Sequence, residues 1–336
     1  MADDPVRQIA DTVLYEGYLL WPYRRSALKN RQRWTFGGVF PPAHHESHED
    51  DRCRMLTECL LEGGAGDMVE VSVRFLHVVR RQVMAARPGG LEPVDELVIG
   101  DEGYLSWEEA TERELAAEVA IAEGHQQPLR VPIEVPEGRE EEQLHGADGQ
   151  LAGTIVRTWR TLAGVLEVGV GRLRPDLHRV TVTVANETPW EGGAREEALE
   201  RSFCSTHAVL RTGGGAFVSL TDPPERLRAE AEACRNEGAW PVLVGNPAER
   251  HTLLASPIVL EDHPRIAPES PGDLFDGGEI DGMLTLNILS LTDEEKAEMR
   301  QADPRTREIL ERTEALSEEQ LMSLHGAIRD FRHVSS

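Results

Sequence analysis

Residues 68–79 constrain the fold more than any other stretch. Val69, Val71, Val73 and Phe75 alternate with Glu70, Ser72 and Arg74. A period of two puts the first set on one side of an extended chain and the second on the other, which is the pattern of a half-buried strand. A helix, with about 3.6 residues per turn, cannot gather the first set on one face. The same alternation returns after Gly153. Segments 154–162, 165–173 and 179–186 read as a meander turning at Ala163-Gly164 and Pro175-Asp176. Segment 94–99 is a further strand. Segment 129–135 is an edge strand at best, because Pro132 has no N–H to give a ladder. Strands at this spacing predict a sandwich- or barrel-like unit over residues 63–190.

Around that unit the reading predicts helices. Val6, Ile9, Val13, Leu14 and Tyr18 fall near helical spacing, and Pro22 ends or kinks that helix. Segment 47–61 reads as a helix with Cys53, Leu56, Cys59 and Leu60 along one stripe. Segment 106–123 is open between a helix, from the capping box Ser106–Glu109, and a strand carrying Leu115, Val119 and Ile121. Beyond Trp190 the pattern is a helix over 195–203, a hairpin around Gly213-Gly214-Gly215, a helix after Pro223, and apolar strands at 240–245 and 253–260. Capping boxes at Thr292–Glu295 and Ser317–Gln320 mark a helical tail. The predicted class is α+β: a helical N-terminal arm, a β-rich middle, an α/β layer after it and C-terminal helices. The corresponding segments are 1–62, 63–190, 191–260 and 261–336.

Charge narrows the partners. The chain of 336 residues has a formal net charge of -25, which opposes generic binding to nucleic acid or an anionic membrane and leaves a partner with a basic face open. The start, MADDPVRQIAD, lacks the basic and apolar regions of a signal peptide, and no apolar run approaches a membrane span. Four cysteines (Cys53, Cys59, Cys204, Cys234) are too sparse for a disulfide framework, so a cytoplasmic location is expected.

Residues 14–40 combine aromatics with positive charge. Trp21, Tyr23 and Trp34 lie among Arg24, Arg25, Arg31 and Arg33. Arg forks recognise carboxylates and phosphates, and Trp and Tyr anchor interfaces. This stretch is therefore either a partner-binding surface or an arm whose aromatics are core. Residues 261–281 form an acidic, Pro-rich loop in which Asp273, Asp276 and Glu279 are candidates for partner docking or, with Glu269 and Asp281, for a hard cation. His44, His45, His48 and Cys53 form the densest metal-like cluster, suited to Ni, Zn or Fe, although the spacing matches no standard zinc motif. The alternative is a polar element start with core cysteines. Cys204-Ser205-Thr206-His207 could supply two ligands, or a nucleophile and its base.

LYEGYLLWPYRRSALKNRQRWTFGGVFPP resembles the opening of an actinobacterial-type family encoded beside high-affinity nickel–iron hydrogenases and their maturation genes. FVSLTDPP, WPVLVG, LLASPIVL, APESPGDLFDGGEID and LSLTDEEKAEMR resemble later blocks of the same family. The resemblance spans most of the chain and carries over no catalytic residues. It implies a non-enzymatic accessory protein that binds a hydrogenase subunit, a maturation protein or an assembly intermediate, with no resident cofactor expected. A metal-binding protein using the His44–Cys53 cluster is the alternative. Self-association stays open.

Overall fold

A computed structural model describes residues 5–15, 36–64, 66–121, 127–264 and 291–302, together with positions 288, 307, 310–311 and 313–315. The chain divides into two compact units. One contains residues 1–18 and 32–264, the other residues 19–31 and 265–336.

The first unit is a β structure of two large sheets and one small two-stranded sheet. In chain order it contains α1 (Pro5–Tyr15), α2 (Pro42–His45), β1 (Arg54–Glu62), β2 (Met68–Arg87), β3 (Gly90–Val94), β4 (Glu96–Ile99), β5 (Glu102–Leu105), β6 (Trp107–Ala120), β7 (Leu129–Val135), β8 (Gly138–His145), β9 (Leu151–Trp159), β10 (Leu162–Arg174), β11 (Leu177–Asn186), α3 (Arg195–Leu199), β12 (Cys204–Thr212), β13 (Ala216–Val218), α4 (Arg228–Glu232), β14 (Asn236–Glu237), β15 (Trp240–Leu243) and β16 (Thr252–Ser256). One sheet runs β13-β1-β11-β10-β7, with β14 on β1. The other runs β15-β16-β12-β2-β9-β8, with β3 and β6 also on β2. All of the strand pairings are antiparallel.

The alternation in β2 does what its period dictates. Val69, Val71, Val73 and Phe75 are buried in one cluster with Val180, Val182 and Val184 of β11 and Leu166 and Val168 of β10. Two inner faces therefore close on one apolar core, the arrangement of a β-sandwich. The second half of β2 extends into a smaller cluster, where Val83 packs with Ile155 and Leu144. Arg80 pairs with both Glu108 and Thr158. Hence β9 follows β12 along one edge of β2, while β3 follows β6 along the other.

The predicted α+β class is corrected by these sheets. Among the described residues strand accounts for 52% and helix for 15%, so the fold is predominantly β and its helices are few and short. Three particulars explain the difference. Residues 47–61, expected as a helix, contain β1, which is buried over Met55–Leu61. Cys59 and Leu61 face the main core, while Leu60 packs beneath Leu227 and Ala231. A strand covered on both faces takes apolar residues at both parities, as Met55, Leu56, Cys59, Leu60 and Leu61 do here around the buried Thr57 and Glu58, so it shows no alternation. Ser106 does not cap a helix. Its Oγ donates to Val94 O at 2.6 Å and accepts from Val83 N at 2.9 Å, fixing the start of β6. Residues 191–260 are not an α/β layer, because β12, β15 and β16 extend the sheet of β2 and the helices between them have five residues each.

Two connections differ from expectation as well. Gly213-Gly214-Gly215 carries the chain from β12 in one sheet to β13 in the other, so it is a crossover rather than a hairpin. Strands β9 and β10 also lie in different sheets, which leaves only β10–β11 of the expected meander. The β-rich middle and the edge position of β7, with Pro132 on it, agree with the sequence reading.

The second unit contains α5 (Asp293–Ala302). Thr292 N donates to Glu295 Oε2 at 2.9 Å and Glu295 N to Thr292 Oγ1 at 3.2 Å, the reciprocal bonds of the expected capping box. Among the described residues no helix is long and apolar enough to cross a membrane.

Candidate functional site

The chain entering β1 and the chain entering β12 build a cleft together. Residues 36–40 run beside the start of β12. Ser205 N donates to Phe36 O, Thr206 N to Gly37 O, and Val39 and Phe203 exchange both backbone bonds. The register of β12 against β2 shifts between Cys204 and His207, and Ser205 takes φ of 51° there. That bulge turns the strand end outward to receive residues 36–40. Asn186 locks the arrangement: its Nδ2 donates to Val39 O and to Arg201 O, both at 2.8 Å. Gly37 has φ of 57°, and a Cβ there would stand 2.9 Å from both Pro257 Cβ and Thr206 N. Only glycine lets the chain pass so close.

His44 sits on the other side of Phe40. Its Nε2 donates to Asp51 Oδ2 at 2.9 Å, and Arg195 grips the same carboxylate through Nε at 3.1 Å and Nη2 at 3.3 Å. The Arg195 guanidinium lies 5.1 Å from the Phe40 ring centroid. Phe40 stacks on His44 at 5.0 Å, and His44 on His48 at 4.2 Å. Partial burial works to raise the Asp51 pKa, but the hydrogen bonds from Arg195 and His44 outweigh it and hold the carboxyl below its ordinary range. This stapled loop forms one wall of a cleft of about 170 Å³. Phe36, Gly37, Gly38, Phe40, Asp50, Arg52, Arg195, Trp240 and Pro257 also line it. Phe36 and Trp240 remain 40% and 42% exposed, so two aromatic side chains stand at the cleft with their faces only partly covered.

The predicted metal cluster divides here. His44 is buried and committed to Asp51, and His45 Nδ1 donates to Asp51 O at 3.1 Å. His48 is exposed with its Nδ1 near Ser47 Oγ and His44 O, and Cys53 is half-buried beyond them. Among the described residues no three His, Cys, Asp or Glu groups are placed to hold a metal ion together. The expected partner-binding residues Trp21, Tyr23, Arg24, Arg25, Arg31, Arg33, Trp34, Asp273, Asp276 and Glu279 lie outside the described residues.

Burial disfavours ionisation of two of the thiols and protonation of two buried imidazoles. Burial pushes the Cys59 thiol well above its ordinary pKa and raises Cys234 as well. Cys204 and His207 are both fully buried, and His207 Nδ1 donates to Ser205 O at 3.0 Å. Burial pulls the His207 pKa down to about 4, with Arg74 nearby adding to the effect. His77 is likewise held at about 4 by burial and by Arg113.

Arg52, Arg195 and Trp240 escaped the sequence reading. Asp51 and Arg195 are separated by 144 positions, and neither carries a motif. Trp240 offered a signal in the sequence, an aromatic residue opening an apolar strand two positions after Gly238. No protein-family model matches the chain, and no curated protein matches it.

Proposed function

We propose that this chain is a non-enzymatic accessory protein that docks a partner polypeptide at the cleft between Phe36 and Trp240. The observation that carries the reading is the composition of that cleft. Exposed Trp and Phe stand beside Arg52 and Arg195 on a frame fixed by backbone hydrogen bonds and a bidentate ion pair. Trp, Phe and Arg are the residues that supply interface anchors, and anchoring works best on a surface already rigid before binding. The identity of the partner rests on the resemblance of the sequence blocks, which points to a hydrogenase subunit or an assembly intermediate. The formal charge of -25 favours a partner with a basic face around the anchored residues.

The test is a photo-crosslinking amino acid placed at position 240 of the tagged, full-length protein in its native host. A covalent adduct with a hydrogenase subunit or maturation protein is expected, and the same probe at Val98, 60% exposed on β4, should yield none. Equal labelling from both positions, or no adduct from position 240, would overturn the assignment of this cleft.

A further inference from the structure

The sheet face that looks away from the core carries a second surface. Ladder register sets Arg74 opposite His207 on β12 and opposite Glu114 on β6. It sets Ser72 opposite Val209 and Ala116, and Glu70 opposite Arg211 and Glu118. These residues alternate with Val71 and Val73, which belong to the core, so they occupy the outer face. Helix α1 packs on β12 and β2 there, burying Val6, Ile9, Ala10, Val13 and Leu14.

The fit between α1 and this face is good in its apolar part and incomplete in its polar part. The Arg74 side chain is 2% exposed. Its Nη2 donates to Glu112 Oε2 at 3.0 Å. Asp11 Oδ1 of α1 comes within 2.7 Å of Nη1, yet Nη1, Nε and that oxygen all lack an aligned hydrogen bond. His207 Nε2 is buried without a partner as well. A buried donor or acceptor left unmade costs about 1–3 kcal/mol; His207 Nε2 has nothing to offset that, while Nη1 keeps its ion pair with Asp11 and Nε lies 4.0 Å from Glu114 Oε2, so α1 leaves this face incompletely paired. Among the described residues α1 also has an exposed tie to the face, Arg7 to Glu114 at 2.9 Å, while Arg7 to Asp11 at 3.4 Å lies within the helix. Past α1 the same face continues into a cavity of about 310 Å³ lined by Glu70, Ser72, Ala116, Glu118, Val209 and Arg211.

We infer that the outer face of β2, β6 and β12 is a helix-binding surface held in this structure by the chain's own α1, and that its external ligand is an amphipathic helix presenting a carboxylate to Arg74. The chemistry follows from complementarity. The ligand helix supplies an apolar stripe like that of α1, and its carboxylate aligns with Nη1, the edge of the guanidinium that Glu112 leaves to the helix. The 11 described residues of α1 would be marginal as an isolated helix, so docking sustains them, and α1 is released when a better ligand competes. This surface shares no residue with the Phe36–Trp240 cleft, so either can fail without the other.

The test uses full-length protein carrying Ile9→Glu and Val13→Glu, which removes the apolar stripe of α1 from the face, and a fluorescent peptide of residues 1–18 as probe. The peptide should bind the double variant at least about tenfold more tightly than wild type. An Asp11→Asn peptide should bind the same variant several-fold more weakly, because it loses the ion pair with the buried Arg74. Urea unfolding of the variant must keep its cooperative transition. Retention of that transition without peptide binding would refute the surface. Loss of the transition would also refute it, by showing α1 to be an inseparable part of the core.

Discussion

The two faces of β2 solve the same problem with different chemistry. On the inner face Val69, Val71, Val73 and Phe75 meet another sheet, and every group is apolar and buried. On the outer face Ser72 and Arg74 meet α1 and β6, where charge is balanced by charge and several polar atoms stay unmade. Close packing of apolar groups admits one arrangement, because a void or an overlap is costly. An ion pair with unmade hydrogen bonds admits a better partner. The comparison teaches that the inner face defines the fold, while the outer face holds its present occupant provisionally.

The largest expected effect breaks the inner face. Phe75 is fully buried with its ring 4.7 Å from that of Phe203. Phe75→Ala should cost about 3–5 kcal/mol of unfolding free energy in urea titration; a loss below about 1 kcal/mol would mean the core is loose there.

Acid should act next, and on the outer face. His207 is neutral when folded because its pKa falls from 6.5 to about 4. Its contribution is complete above pH 6.5 and is lost as pH falls toward 4, since the unfolded chain takes up the proton first. The span of 6.5 to 4 corresponds to roughly 3 kcal/mol at 1.36 kcal/mol per pH unit. Ser72 and Arg7 hold Glu114 below its usual range against the upward pull of burial, so its contribution too is present above its ordinary pKa and lost as pH falls. Stability measured from pH 7 to pH 4 should fall steeply, and His207→Gln should flatten the slope. An unchanged slope in that variant would remove His207 from the account.

A smaller effect tests the frame of the cleft. Gly37→Ala forces a left-handed alanine against Pro257 and should cost about 1–2 kcal/mol by denaturant midpoint. A neutral result would show that residues 36–40 move freely. The smallest effect sharpens the outer face. A double-mutant cycle on Arg7 and Glu114, both about half exposed, should return a coupling of about 0.2–1 kcal/mol. A coupling above about 2 kcal/mol would make α1 a tightly locked element instead of a displaceable one.

The inner face was legible in the sequence because a half-buried strand prints its period in alternate residues. Strand β1 was not, since burial on both sides erases that period and puts apolar residues at both parities. The hydrogen bonds of Ser106 show a second limit: a capping box is a local signal, and the ladder to β2 overrides it. The stacked His44 and its Asp51–Arg195 pair show a third. The sequence marks the histidines, but Asp51 meets Arg195 only through the fold, so a cluster that reads as ligands is in part a staple. Trp240 and Phe36 are brought together by the bulge at Ser205, and no spacing rule encodes that meeting.

The most direct measurement of the central claim is co-purification of the tagged protein from its native host, wild type beside Trp240→Ala, with elemental analysis of both eluates. The account predicts a hydrogenase subunit or maturation protein in the wild-type eluate. Recovery should fall at least about tenfold for Trp240→Ala, the loss expected of a single aromatic anchor, while the variant keeps its unfolding midpoint. Stoichiometric nickel, zinc or iron in the eluate without a partner protein would contradict it and would transfer the function to His44, His45, His48 and Cys53.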